Sequence, residues 1–337
     1  MKDPTILQTY VTTLVENDYK SGKFAKCFGS EDTLSSTSVV PEIDLVLDGG
    51  AFNGGYTLGA LLYIKYAESR GYLRVCRISG CSVGACIGLA YILDKLEEMN
   101  NVITRFMELF RQKSNMTFYK SFVVEFMDIL LEEKELCKCQ NNLYISCFNK
   151  NEDKQIVVNT YTNKQDLQLA LLRTIYIPFL SNDKLTDTDG YIDGGYPHIF
   201  RGSQKIDGRK QLYIQLNGVD KFFNMIHIKS EITITNRILR GLEDIQAFVQ
   251  REGETTFMCS YVEKWNPMDT AVYNSKQFVC KALLYLLHQL GKGYNQLPES
   301  LRMIITSMLS IDAITYLSNT SFRCIIGILE NSIKRIV

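Results

Sequence analysis

Histidine is scarce in this chain: three residues, at positions 198, 227 and 288, in a total of 337. No H-E-x-x-H pattern is present, which excludes the zinc-hydrolase helix that needs two imidazoles one turn apart. Paired cysteines at C-x-x-C spacing are also missing. The nearest grouping among the ten cysteines is Cys137, Cys139 and Cys147, so structural zinc is not expected. Neither sign of charge is in excess, with 37 basic and 37 acidic residues. There is then no global field to gather nucleic acid, and nucleic-acid binding is not expected. Long apolar runs are lacking too. GACIGLAYIL (84–93) is ten residues, about half of what a membrane-spanning helix needs. The stretch MKDPTILQTYVTTLVENDYK carries acidic residues and no continuous apolar segment, so no secretory signal is read there. An intracellular location, with free thiols in a reducing compartment, is the expectation.

What remains is a chain able to build a core, 46% hydrophobic and 22% charged. Residues 1–40 read as a leading helix (about Pro4–Glu16) and a polar loop. From Pro41 the pattern becomes α/β. A strand at Ile43–Leu47 is followed by a glycine loop, a helix at about Tyr56–Ser69, a strand at Leu73–Ser79 and a helix at about Val83–Met99. Such alternation predicts a mostly parallel sheet covered by helices. Residues 102–137 have helical periodicity, and strands are expected at Leu143–Asn149, Gln155–Tyr161 and 211–218. A helix is expected at Asp166–Thr174 and a tight turn at 187–195. The expected organisation is an α/β core over 41–220 and a mainly helical region over 221–337 packed on it, with a strand at about Thr255–Glu263.

Two stretches carry chemistry. Gly80-Cys81-Ser82-Val83-Gly84 is a G-x-S-x-G pentapeptide between a predicted strand and a predicted helix. That context suits a sharp turn that exposes Ser82 as a nucleophile, with small residues where strand and helix converge. A nucleophilic serine needs a base, and two sources compete. One is a Ser-Asp-His triad using His198 or His227. The other is a dyad in which Asp193, in the glycine-flanked YIDGG segment (191–195), takes the proton directly.

DGGAFNGGYTLGAL (48–61), GCSVG (80–84) and YIDGG (191–195) stand in that order. Together they resemble the patatin-like phospholipase family, lipid acyl hydrolases with a serine–aspartate dyad. The resemblance covers about residues 41–220. It implies a three-layer α/β fold, Ser82 as nucleophile and Asp193 as its partner, without cofactor or metal. It also implies an oxyanion hole from Gly49, Gly50, Ala51, Asn53 and Gly54, joined by the amide of Val83. The segment ALLRTIYIPFL (170–180) resembles the stretch that precedes the family's aspartate. Three features depart from the family pattern: Ala51 replaces the third glycine of a triplet, Asn53 replaces a Lys or Arg, and Pro197-His198 follows the aspartate in place of Asn-Pro.

Other ligands for the glycine loop fit less well. A Walker loop would end in Gly-Lys-Ser/Thr, which is absent. A dinucleotide site would place an acid at the end of the next strand, where Ser79-Gly80 stands. Asp187-Thr188-Asp189-Gly190 lacks EF-hand spacing and reads as a solvated turn. Near the C-terminus, Phe322, Ile326, Leu329, Ile333 and Ile336 form an amphipathic stripe that fits core packing better than membrane contact. The expected partner is a phospholipid or other acyl lipid, met peripherally at a membrane. The competing functional classes are a lipid-binding protein that keeps the fold without the chemistry, and a Ser-His-Asp esterase.

Overall fold

EIDLVL (Glu42–Leu47) forms β1, and after its first residue every side chain is buried. A strand that is apolar on both faces belongs at the centre of a sheet covered on both sides. The computed structural model describes residues 6–29, 40–113, 116–182, 184–200, 209–216 and 233–265, with four single positions between 296 and 301. The chain divides into two units, Met1–Gln277 and Phe278–Val337, and the elements below belong to the first. His227, His288 and the stripe from Phe322 to Ile336 lie outside the described residues.

β1 pairs in parallel with β2 (Arg74–Cys81) and β6 (Lys210–Ile214), and β2 in parallel with β3 (Leu143–Asn149). The sheet is closed by antiparallel strands: β4 (Lys154–Val158) and β5 (Tyr191–Asp193) on β3, and β7 (Cys259–Tyr261) on β6. The result is a seven-stranded mixed sheet, parallel at its centre and flanked by helices, as the alternating pattern predicts. Two ion pairs join β1 to β2, Arg74 with Glu42 at the strand starts and Arg77 with Asp44 further in. Asp44 is fully buried in β1 and receives two hydrogen bonds from Arg77 of β2, at 3.1 and 2.6 Å.

The leading helix α1 runs Ile6–Lys20, and Gly22 in the left-handed region separates it from α2 (Lys23–Phe28). α3 spans Gly54–Ser69. The helix expected at Val83–Met99 is instead two, α4 (Val83–Ile92) and α5 (Leu96–Lys113). The break is a Schellman cap without glycine. Asp94 takes φ 59°, Lys95 N–H donates to Ala90 O, and Asp94 N–H donates to Tyr91 O. The helical period at 102–137 likewise divides, into the rest of α5, α6 (Tyr119–Leu130) and a 3-10 segment Glu133–Cys139. α7 (Lys164–Thr174) starts at Asn163, whose side chain accepts from the Asp166 amide. α8 (Thr235–Gln250) follows β6, and among the described residues no helix is long and apolar enough to cross a membrane.

α3 and α8 cross with almost no space between their backbones. A methyl group built on Gly59 would stand 2.0 Å from the Ile238 carbonyl oxygen, and one on Gly241 would stand 1.9 Å from the Tyr56 carbonyl oxygen. Gly59, the last glycine of DGGAFNGGYTLGAL, is therefore a packing residue. At one end of this crossing, buried Asp18 of α1 accepts from the Tyr63 hydroxyl of α3 at 2.6 Å and the Gln250 amide of α8 at 3.2 Å. Gly241→Ala should lower stability by about 1–3 kcal/mol, seen as a fall of several degrees in Tm. An unchanged Tm would mean that the helices separate without cost.

Candidate active site

β2 ends at Cys81 and α4 begins at Val83, so one residue makes the whole turn. That residue is Ser82, with φ 51° and ψ −131°, a conformation costing about 1–3 kcal/mol for a side chain with Cβ. The surroundings hold it there. Gly84 leaves room for the β1 backbone, because a methyl group on it would stand 2.6 Å from the carbonyl oxygens of Leu47 and Asp48. The Ser82 N–H donates to Thr174 Oγ1 at 2.8 Å, and the Thr174 hydroxyl donates to the Ser146 carbonyl at 2.6 Å. Thr174, at the end of α7, is a residue that no spacing rule in the sequence singled out.

The position of Asp193 follows from strand register. β4 occupies one edge of β3 over Ile145–Asn149. On the other edge β2 pairs as far as Cys81↔Ser146, and β5 takes over at the next residue with Asp193↔Cys147. Asp193 thus enters the sheet where β2 leaves it. Its N–H donates to Tyr176 O at 2.9 Å, and its Oδ1 accepts from the Gly195 N–H at 2.9 Å. The turn before it is built by Asp187, whose Oδ1 accepts from the amides of Asp189 and Tyr191. The Cys81 thiol donates to Gly195 O at 3.6 Å, tying the serine strand to the aspartate loop.

Burial and the nearby charges of Asp48 and Asp193 hold the Cys81 thiol well above its ordinary range. Cys86, one turn into α4, is pushed up to about 12 by burial and then by the Asp193 charge. Asp193 is therefore felt on both sides of Ser82.

The glycine loop lies against the serine: a methyl group on Gly49 would come within 3.0 Å of Ser82 Cβ. Ala51, in place of a third glycine, takes φ 45° and opens a 3-10 turn, Ala51–Asn53. The Asn53 N–H donates to Gly50 O at 2.9 Å, and the Gly54 N–H donates to the carbonyls of Ala51 and Phe52. Asn53 is fully buried, its Oδ1 accepting from Arg237 Nη1 at 3.0 Å and its Nδ2 donating to Leu216 O at 3.4 Å. Asp48 Oδ2 accepts from the Leu216 amide at 3.1 Å and the Tyr213 hydroxyl at 3.2 Å. Asp48 and Arg237 are further site-supporting residues that sequence reasoning passed over. Asp48 adjoins the glycines, but nothing in the sequence pointed to Arg237.

Ser82, Ala51 and Cys86 share an apolar cavity walled by Phe52, Phe106 and Phe122. Its other side chains are hydrocarbon or thioether, so Ser82 is the only hydroxyl among the described residues that line it. His198 is elsewhere. It stacks on Tyr144 at a centroid distance of 5.9 Å and meets the edge of Phe200. Tyr144 pairs with Ser79, three residues before Ser82 and so about 10 Å back along the strand.

Residues 45–198 match the family model for patatin-like phospholipases. The matched segment is similar to a patatin-like phospholipase domain. It contains Ser82, Asp193 and the whole glycine loop, while Arg237 and Leu216 lie beyond it. The human patatin-like phospholipase domain-containing protein 4 is 26% identical over 162 residues, which cover 45% of this chain and 64% of the human protein. The chain thus matches a little under two thirds of that relative. Among the described residues of the patatin-like domain and its surroundings, no cluster of three His, Cys, Asp or Glu side chains is arranged for a metal ion.

Two outcomes follow from this geometry. Thr174→Val leaves the Ser82 amide and the Ser146 carbonyl without their partner. It should cost about 1–3 kcal/mol for each orphaned group in urea unfolding, whereas Thr174→Ser should stay near wild type. Equal stability of Val and Ser variants would contradict that role. Separately, burial raises Cys27, Cys86 and Cys139 to about 12 and Cys147 to about 11, from 9.0. Above pH 9 the unfolded chain releases these protons and the folded chain keeps them, so stability falls as pH rises from about 9 towards 11. Urea midpoints in reducing buffer at pH 8 and pH 10 test this; equal midpoints would refute it.

Proposed function

We propose that the chain is a lipid acyl hydrolase of phospholipase A type, working through a Ser82–Asp193 dyad. The observation that carries this reading is a single hydroxyl, held at a strained turn, on the wall of an otherwise apolar cavity. A fatty acyl chain fills such a cavity and brings its ester carbonyl to the mouth, where Ser82 stands. The position of Asp193 in the register, one residue beyond the end of β2, supports it as the base.

In this mechanism Ser82 Oγ attacks the ester carbon while the Asp193 carboxylate takes the hydroxyl proton. The carbonyl oxygen becomes an oxyanion, held by backbone N–H groups and by the positive end of α4. The amides of Asn53 and Gly54 donate within their own turn, and the Gly49 amide faces the Cys81 sulfur. The oxyanion contacts then fall to Gly50 and Ala51, with Val83 at the start of α4. Collapse of the intermediate expels the alcohol, which receives the proton from Asp193, and leaves an acyl-serine. Water attacks the acyl carbon with Asp193 as base, releasing fatty acid and restoring the serine. The packing of His198 against Tyr144 and Phe200 favours this dyad over a triad that uses His198. The substrate is an acyl lipid taken from a membrane or micelle surface.

Ser82→Ala and Asp193→Asn should each lower kcat on a labelled phospholipid by about 10³-fold or more, while replacement of all three histidines leaves most activity. A fluorophosphonate probe should label wild type and not Ser82→Ala. An inactive histidine-free variant beside an active Asp193→Asn variant would replace the dyad with a triad.

A further inference from the structure

The Gly50–Ala51 peptide is the point at which the oxyanion loop is most exposed to error. Ala51 stands at φ 45°, where an L-residue with Cβ is strained. Rotating the peptide between Gly50 and Ala51 by half a turn would relax that strain. Because a trans peptide is planar, with N–H and C=O opposed, the same rotation would also reverse the Ala51 N–H. The loop needs something that holds the Gly50 carbonyl where it is.

That hold is visible as a chain of contacts. The Gly50 carbonyl accepts from the Asn53 N–H at 2.9 Å, so the Ala51 N–H on the other side of the peptide points out of the turn. Ala51 lines the same cavity as Ser82. Asn53 is in turn fixed by its side chain. Arg237 Nη1 donates to its Oδ1 at 3.0 Å, which directs its Nδ2 to Leu216 O at 3.4 Å. Arg237 is itself 2% exposed, and its guanidinium lies 5.9 Å from the centre of the Tyr56 ring. It rides on α8, which is clamped to α3 where Gly59 meets Ile238 and Gly241 meets Tyr56.

We propose that Arg237 is a positioning residue for the proposed hydrolysis, locking the Gly50–Ala51 peptide through Asn53 so that the Ala51 N–H faces the oxyanion. This rests on the lipid-hydrolase reading above. The hydrogen bond from a guanidinium is charge-assisted and directional, and it lies beyond the matched patatin-like domain. The Ala51 strain and the Arg237 tether are then two halves of one device: the second is needed because of the first.

The test measures kcat, KM and the second-order rate of Ser82 labelling by a fluorophosphonate on the full chain. Arg237→Met should lower kcat and the labelling rate together by about tenfold or more, with KM within about twofold of wild type, because the lost donor acts on the transition state. Arg237→Lys should lie between. Combining Arg237→Met with Asn53→Ala should be no worse than the worse single variant. The distinctive outcome is rescue: adding Ala51→Gly to Arg237→Met should restore kcat by several-fold, since glycine meets no strain at that φ. A purely structural arginine would lower Tm without this rescue, and circular dichroism monitors that. Should Arg237→Met fail to fold, the same rescue is read in Arg237→Lys. An unchanged kcat in Arg237→Met, additive losses with Asn53→Ala, or no rescue by glycine each overturns the role while wild type still labels. A wild type that neither hydrolyses esters nor takes the probe overturns the hydrolase reading and this role with it.

Discussion

One edge of β3 is shared by two strands, and the site depends on that hand-over. β2 pairs as far as Cys81 opposite Ser146, and β5 begins with Asp193 opposite Cys147. A parallel strand can leave a sheet only by turning away, and here the turn is Ser82. The vacated edge is then filled by an antiparallel three-residue strand that ends in the carboxylate. Sheet register sets Ser82 and Asp193 along the same edge of β3. Thr174 seals the junction by accepting from Ser82 and donating to Ser146. The thiol of Cys81 fastens the serine strand to Gly195.

A second constraint arrives from outside the matched domain. α8 lies on α3 at backbone contact distance because both helices have glycine at the crossing. Burial of that crossing does more than stabilise the fold. It places a guanidinium at the start of α3, where the glycine loop enters the helix, and connects a late segment of the chain to the loop that lies on Ser82. Asn53, which at first sight lacks a charge, is therefore served by one from another helix.

Much of the architecture was legible because its signals are local. The buried run of β1, the strand–turn–helix around Ser82 and the alternation of strands and helices all appear at short range. Errors arose where a local signal was ambiguous. The helix expected through Met99 ends at Ile92 because Asp94 takes the left-handed position usually held by glycine. The long helical period at 102–137 hides two interruptions because apolar spacing survives across them. Within α6, Phe122 and Phe126 line the cavity as well as packing the core, whereas Ile129 is exposed.

By itself the sequence determined the order of the three motifs, and with it the residue types brought to the site: a serine at a tight turn, a glycine-rich loop and an aspartate between small residues. Only the tertiary structure decided what supports them. The bond from Ser82 to Thr174 spans 92 positions and that from Arg237 to Asn53 spans 184. Neither residue type nor spacing carries a contact of that range. It exists only once the sheet register and the α3–α8 crossing have closed, because burial in the finished core is what pairs such distant polar groups.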